Sequence, residues 1–267
     1  MSAPMSGSDM TPELHFRDEG TGPPVVLVHA GVADGRMWQP QIDGLSDRLR
    51  MIVPDLRGFG TTPTPANQFS HSEDLYTMAS RLGLRQATWV GCSMGGSAVL
   101  DLALAHPEIV LGMMLVDCVP SGQPITDPVT TGGWRAAAEA FGAGDMQRAA
   151  EIEMEMWLLG PDRVDEAVPG PLRELVKTML LDSYQHADGQ EIEPARPAID
   201  HLSDIAAPTL VVVGEYDQAP FLQAARLMAA RIPGARLEIV SGAAHLPSLE
   251  HPEQFNDLLT GFLSSAL

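Results

Sequence analysis

Ser93 stands in the run Gly91-Cys92-Ser93-Met94-Gly95, a G-x-S-x-G string directly between a strand-like stretch and a helix-like one. Ahead of it, Ala87-Thr88-Trp89-Val90 has the β-branched and aromatic content of a short buried strand, and residues 97–105 behind it are rich in helix formers. Strand, tight turn and helix in that order push the serine onto the tip of the turn, where its hydroxyl can meet a substrate. Glycines at both ends let the chain turn sharply and let the helix pack close to the strand. A serine hydroxyl is a weak nucleophile near neutral pH, so it needs a base, and the base needs a group to orient it. The C-terminal part supplies candidates for both. His245, in Ser241-Gly242-Ala243-Ala244-His245-Leu246, falls in a loop between the last strand and the last helix. Asp217 follows Val211-Val212-Val213-Gly214-Glu215-Tyr216 and so leaves the end of the preceding strand. The chemistry such a set performs is acyl transfer to water.

An alternation of strands and helices must position these residues. Residues 14–20 suggest a short early strand, and Val25-Val26-Leu27-Val28 is a continuous apolar run suited to a parallel strand covered on both faces. Residues 37–49 read as a helix with Trp38, Ile42, Leu45 and Leu49 on one face. A strand at 51–53, a helix at 72–82 and a strand at 110–116 that reaches Asp117 complete the first half. Alternation then stops, and helical stretches at 134–141, 146–159 and 171–184 are separated by glycine and proline breaks. It resumes with a strand at 209–213, a helix at 219–231, a strand at 236–240 and a helix near 252–263. The pattern predicts an α/β fold: a mostly parallel, doubly wound sheet built from residues 13–120 and 206–267, with a helical cap over 121–205. Residues 1–12, small and polar, read as a disordered tail. Ligands of open α/β sheets bind at the carboxyl edge of the strands, where Ser93, Asp217 and His245 are all expected.

Composition excludes several other classes. Sixteen Lys and Arg against 35 Asp and Glu give a formal charge of −19 in 267 residues, a field that repels polyanions and argues against nucleic acid as a partner. No apolar run approaches the ~20 residues of a membrane span, and the first ten residues lack the basic start and apolar middle of a secretory signal. A cytoplasmic protein with no membrane partner is expected, and the sequence leaves room for a homodimer. Two cysteines give neither a disulfide framework nor metal-site spacing, and Cys92 should point into the core if Ser93 points out. His15, His106, His186 and His201 have no cluster around them, and His71 and His251 read as surface residues at helix starts. No metal and no organic cofactor are expected.

The chain resembles the α/β-hydrolase superfamily over nearly its whole length after residue 12. The matching pieces are Val28-His29-Ala30-Gly31, residues 55–60 (Asp-Leu-Arg-Gly-Phe-Gly), Gly91 to Gly96, Gly214-Glu215-Tyr216-Asp217 and Gly242-Ala243-Ala244-His245. The order Ser93, Asp217, His245 is the one the family uses. Within the superfamily the sequence is similar to small serine esterases and to enzymes of the 3-oxoadipate enol-lactonase type. One departure is Ala30, where the family usually has glycine after the histidine.

The resemblance implies a catalytic triad of Ser93, His245 and Asp217, with Asp117 as a rival for the acid because it too ends a strand. Glu215 sits too close to its strand's end to serve. An oxyanion hole is implied from the Met94 N–H and a second N–H from Gly31 or Val32. His29 is expected to brace its loop, and Asp55 and Arg57 to tie loops together. A substrate pocket is expected from Trp38, Trp134, Trp157 and Leu246, with the 121–205 insertion as a lid. The function expected is hydrolysis of a carboxylic ester or lactone of a small to medium, partly apolar molecule through an acyl-enzyme. C–C bond hydrolysis, perhydrolysis, and transacylation or cyclisation use the same triad and stay open, as does, in another class, a receptor-like protein with little turnover.

Overall fold

The computed structural model describes residues 13–65, 67–161, 163, 168–186 and 189–266, so the tail expected at 1–12 lies outside the described residues. Seven strands, β1 (Phe16–Glu19), β2 (Pro24–Val28), β3 (Arg50–Pro54), β4 (Ala87–Cys92), β5 (Val110–Val116), β6 (Thr209–Gly214) and β7 (Arg236–Val240), form one sheet. Their spatial order is β1-β3-β2-β4-β5-β6-β7, with β1 antiparallel to β3 and every other pairing parallel. After the edge strand β1, the parallel part starts at β2, steps outward to β3, and then crosses back to add β4 on the other side of β2. That reversal opens a crevice at the carboxyl ends of β2 and β4.

Burial explains why the strands read as apolar runs. Every residue of β4 and β6 is buried, because helices cover both faces. Successive side chains point to opposite faces. Val25, Leu27, Val90, Met114, Val116 and Val212 meet α1 (Gln39–Leu45) and α10 (Pro252–Ala266) through Ile42, Leu45, Phe255 and Phe262. Val26, Val28, Trp89, Leu115, Val211 and Val213 meet α2 (His71–Arg81), α3 (Met94–Ala105) and α8 (Ala219–Arg231). The edge strands β1 and β7 are mostly exposed.

Among the described residues, four α-helices join β5 to β6: α4 (Pro128–Gly142), α5 (Met146–Met154), α6 (Gly170–Ser183) and α7 (Ala198–His201). The side chain of Asp127 caps α4 by accepting the Thr130 N–H at 2.9 Å. After α5 the chain continues as a π-helical turn, Glu155–Leu159, and stops at Gly160 with φ 72°. Met156, Trp157 and Leu158 of this turn are buried in the same apolar cluster as the sheet. Among the described residues no helix is long and apolar enough to cross a membrane.

Two expectations need correcting. The helix expected over 37–49 is a 3₁₀ turn, Gly35–Trp38, followed by the short α1, because Pro40 favours a helix's first turn and Asp34 caps the preceding turn at the Arg36 N–H. His71 does begin α2, but it is buried and not a surface residue; its ring meets Phe69 edge-on and its Nε2 lies 3.9 Å from Glu191. Burial holds its pKa down at about 3.

Candidate active site

Five loops at the carboxyl edge of the sheet converge, one each after β2, β4, β5, β6 and β7. Ser93, after β4, adopts φ 52° and ψ −118°, a strained left-handed conformation for a residue with a side chain. Its N–H donates to Val116 C=O at 2.8 Å, which fixes the turn against the end of β5. Glycine is required on both sides. A Cβ on Gly95 would lie 2.5 Å from His29 C=O, and one on Gly91 would lie 2.4 Å from Gly95 C=O. Cys92 points into the core as expected, and its thiol donates to His245 C=O at 3.6 Å. Burial pushes that thiol's pKa well up, so it is neutral and a poor nucleophile.

His245 and Asp217 are brought together. Asp217 Oδ2 and Oδ1 lie 2.9 and 3.0 Å from His245 Nδ1, and both residues are buried. Two carboxylate oxygens of Asp217 as the acceptors at Nδ1 assign the imidazole proton to that nitrogen and leave the lone pair on Nε2. Asp217 is held in turn by the Gln218 N–H, which donates to Oδ1 at 2.7 Å. The His245 loop is held by Glu250 of α9 (Pro247–Glu250), whose carboxylate accepts the N–H groups of Ala244 and Leu246 at 3.0–3.2 Å. Arg163 pairs with Glu250 at 2.5 Å and places its guanidinium over the Tyr216 ring at 5.6 Å. Sequence reasoning missed this bracing pair, which joins residues 87 apart and carries no local signal.

The loop after β2 lies across from the serine turn. A Cβ on Gly31 would be 3.7 Å from the Met94 side chain. Among the described residues nothing accepts from the backbone N–H of Gly31, Val32 or Met94. His29 braces this loop as expected: Nδ1–H donates to Ala30 C=O at 2.8 Å, and Nε2 accepts from the Leu56 N–H at 2.9 Å. Burial lowers its pKa, so it stays neutral. Ala30 lacks the positive φ that would demand glycine, so the departure at this position costs no backbone strain. Asp55 accepts N–H groups from Gly35 and Thr61, and Arg57 pairs with Asp74 at 2.6 Å.

The expected pocket residues separate into two groups. The Trp157 ring lies 4.5 Å from the His245 ring, its C=O accepts the His245 N–H at 3.1 Å, and Trp134 stacks obliquely on Trp157 at 6.0 Å. Trp38 instead is fully buried with its ring 5.9 Å from Phe255, and Leu246 is likewise fully buried in the apolar core. Phe221 was not anticipated. It sits one turn after Asp217 and meets the His245 ring edge-on at 4.8 Å. Glu215 is engaged elsewhere, accepting from Ser241 and the Gly242 N–H.

Asp117, the rival acid, is buried at the end of β5 and accepts the Gly214 N–H at 2.8 Å. One potential ligand atom from each of Asp117, Asp217 and His245 lies within 4.8 Å of the others, which makes this trio the one place among the described residues where a metal ion could be held. Its donors are already committed, however, since His245 Nδ1 is bonded to Asp217.

A family model described as the alpha/beta hydrolase fold matches residues 23–252. A 2-hydroxymuconate semialdehyde hydrolase of Pseudomonas putida is 30% identical over 291 residues, covering 100% of this chain and 98% of the relative. A 3-oxoadipate enol-lactonase of Acinetobacter baylyi is 25% identical, covering 91% of this chain and 89% of the relative. Among solved structures, a thermophilic esterase from Thermogutta terrifontis superposes with a TM-score of 0.79 at 28% identity, covering 95% of this chain and 93% of the esterase.

Proposed function

From the premise that the chain belongs to the α/β-hydrolase family and is an enzyme of that family, we propose that it is a serine hydrolase of carboxylic esters or lactones. Ser93 Oγ attacks the carbonyl while His245 Nε2 takes its proton, and Asp217 holds the Nδ1–H tautomer and stabilises the imidazolium that forms. The Met94 N–H and that of Gly31 or Val32 receive the oxyanion. The leaving alcohol takes the proton back from His245, and water activated by the same ring then releases the acid. The 121–205 insertion acts as the lid, and Trp157, Trp134 and Phe221 supply an apolar wall that suits a small to medium, partly apolar acyl or alcohol group.

The observation that carries this reading is the buried His245–Asp217 pair, one loop away from a serine held on a strained strand-to-helix turn. The test is turnover of a panel of p-nitrophenyl esters and lactones of graded chain length. Hydrolysis by the native protein, and none by Ser93→Ala, is expected. A Ser93→Ala variant as active as the native protein would remove the reading. A second reading, C–C bond hydrolysis by the same triad, is favoured by the full-length similarity to the hydrolase named for 2-hydroxymuconate semialdehyde. It predicts turnover of 2-hydroxymuconate semialdehyde in preference to esters.

A further inference from the structure

Behind the His245–Asp217 pair lies a second carboxyl group that the mechanism does not use. An oxygen of Asp117, an oxygen of Asp217 and a ring nitrogen of His245 are mutually within 4.8 Å, and all three residues are buried. Asp217 spends both oxygens on His245 Nδ1 and one of them also on the Gln218 N–H. Asp117 Oδ1 accepts the Gly214 N–H at 2.8 Å, whereas its fully buried Oδ2 receives no donor among the described residues. A carboxylate oxygen buried without a donor is costly, and the cost disappears if that oxygen carries a proton and donates it.

The backbone adds an independent sign. Asp117 has φ 43°, and it and Ser93 are the two non-glycine residues with positive φ among those described. Such a conformation persists only where the surroundings over-determine it, and here the side chain is buried with Oδ1 on the Gly214 N–H at the end of the neighbouring strand β6. Two carboxylates this close cannot both ionise easily. The groups facing Asp117 reinforce the point: Asp217, Glu250 with its partner Arg163, and the neutral thiols of Cys92 and Cys118. Burial, and then the charge of Asp217, raise the Asp117 carboxyl well above the usual carboxylate range.

We propose that Asp117 is a positioning residue that works as a neutral carboxylic acid, its Oδ2–H donating to the Asp217 carboxylate so that the two side chains present a single negative charge to His245. The donor from behind fixes the Asp217 rotamer without competing for Nδ1. The proton is a resident one and is not transferred during turnover. The activity readout rests on the hydrolase reading above, but the ionisation readout does not.

Two substitutions separate the roles. Asp117→Asn keeps a donor at the Oδ2 position, an acceptor for Gly214 and tolerance of the left-handed backbone. Asp117→Gly keeps the backbone and removes the donor. Infrared difference spectra of native protein against Asp117→Asn, at neutral pH, are expected to show a protonated-carboxyl stretch that the variant lacks. The acid limb of the kcat/KM profile of Asp117→Asn should stay within about half a pH unit of the native one. Asp117→Gly should lose about tenfold in kcat, the scale seen when an outer partner of a site residue is removed, with Asn restoring most of it. A missing carboxyl band, or an acid limb in Asp117→Asn lowered by about one pH unit or more, as loss of a full nearby anion would cause, overturns the proposal. So does a native kcat in Asp117→Gly. If the glycine variant fails to fold, the band and the Asn profile decide, and the band needs no substrate. Absence of ester turnover in the native protein therefore counts against the hydrolase reading and leaves the state of Asp117 determined.

Discussion

The strand-end loops and the 121–205 insertion contribute to one site by opposite physical routes. Around Ser93, Asp217 and His245 the backbone is fixed by the sheet itself: the Ser93 N–H is tied to β5, the Asp117 N–H to β6, and the Tyr216 N–H to Ala243 beyond β7. The insertion reaches the same place through side chains, chiefly Trp157 against His245 and the Gln218 amide donating to Met156 C=O. Backbone hydrogen bonds to the fully buried central strands fix atoms closely. Apolar packing holds a surface but tolerates changes in shape. On the proposed reading, chemistry belongs to the first region and selectivity to the second.

Substitutions in the two regions should therefore fail in different ways. In the strand-end loops, Ser93→Ala or His245→Ala is expected to lower kcat on the order of 10⁶-fold by analogy with measured triads, read as steady-state ester hydrolysis. Asp217→Asn should cost about 10⁴-fold, because the amide can hold the imidazole in the wrong tautomer. If Asp217→Asn turned over normally while Asp117→Asn did not, the two acids would exchange roles. In the insertion, Trp134→Ala should raise KM for longer acyl chains about tenfold, from the lost apolar area, while kcat on the shortest ester falls by less. An equal loss on every chain length would place Trp134 outside the selective surface.

The smallest effect is expected where the two regions are pinned by charge. Arg36 pairs with Asp34 of the core at 2.6 Å and with Asp182 of α6 at 2.6 Å, and its bond to α6 is half-exposed. Asp182→Asn should lower stability by under about 1 kcal/mol in urea unfolding, with a difference that shrinks at high salt. A loss several times larger would mean that this clasp, and not apolar packing, holds the insertion down.

How far each region was legible in the sequence follows from the same contrast. The strands at 110–116 and 236–240 and the helix at 219–231 have the bounds expected; the first is a nearly continuous apolar run, as a buried parallel strand requires. Asp217 and His245 were legible because strand ends are legible. Side-chain environments were not. His71 was misplaced because burial at a helix start depends on what the rest of the chain lays over it. Arg163 with Glu250, and Phe221 against His245, depend on contacts between distant segments. The Asp117–Asp217 arrangement is the clearest case: two strand-end acids were visible, but not that they come within 4.8 Å of each other beside one histidine.

The central claim is that Ser93 is the nucleophile, and covalent labelling tests it most directly. Native protein treated with a fluorophosphonate and analysed by peptide mass spectrometry should carry one adduct, on the peptide containing Ser93, with none in Ser93→Ala and little in His245→Ala. Folded native protein that takes no label, or that is labelled equally well after Ser93→Ala, would contradict the account.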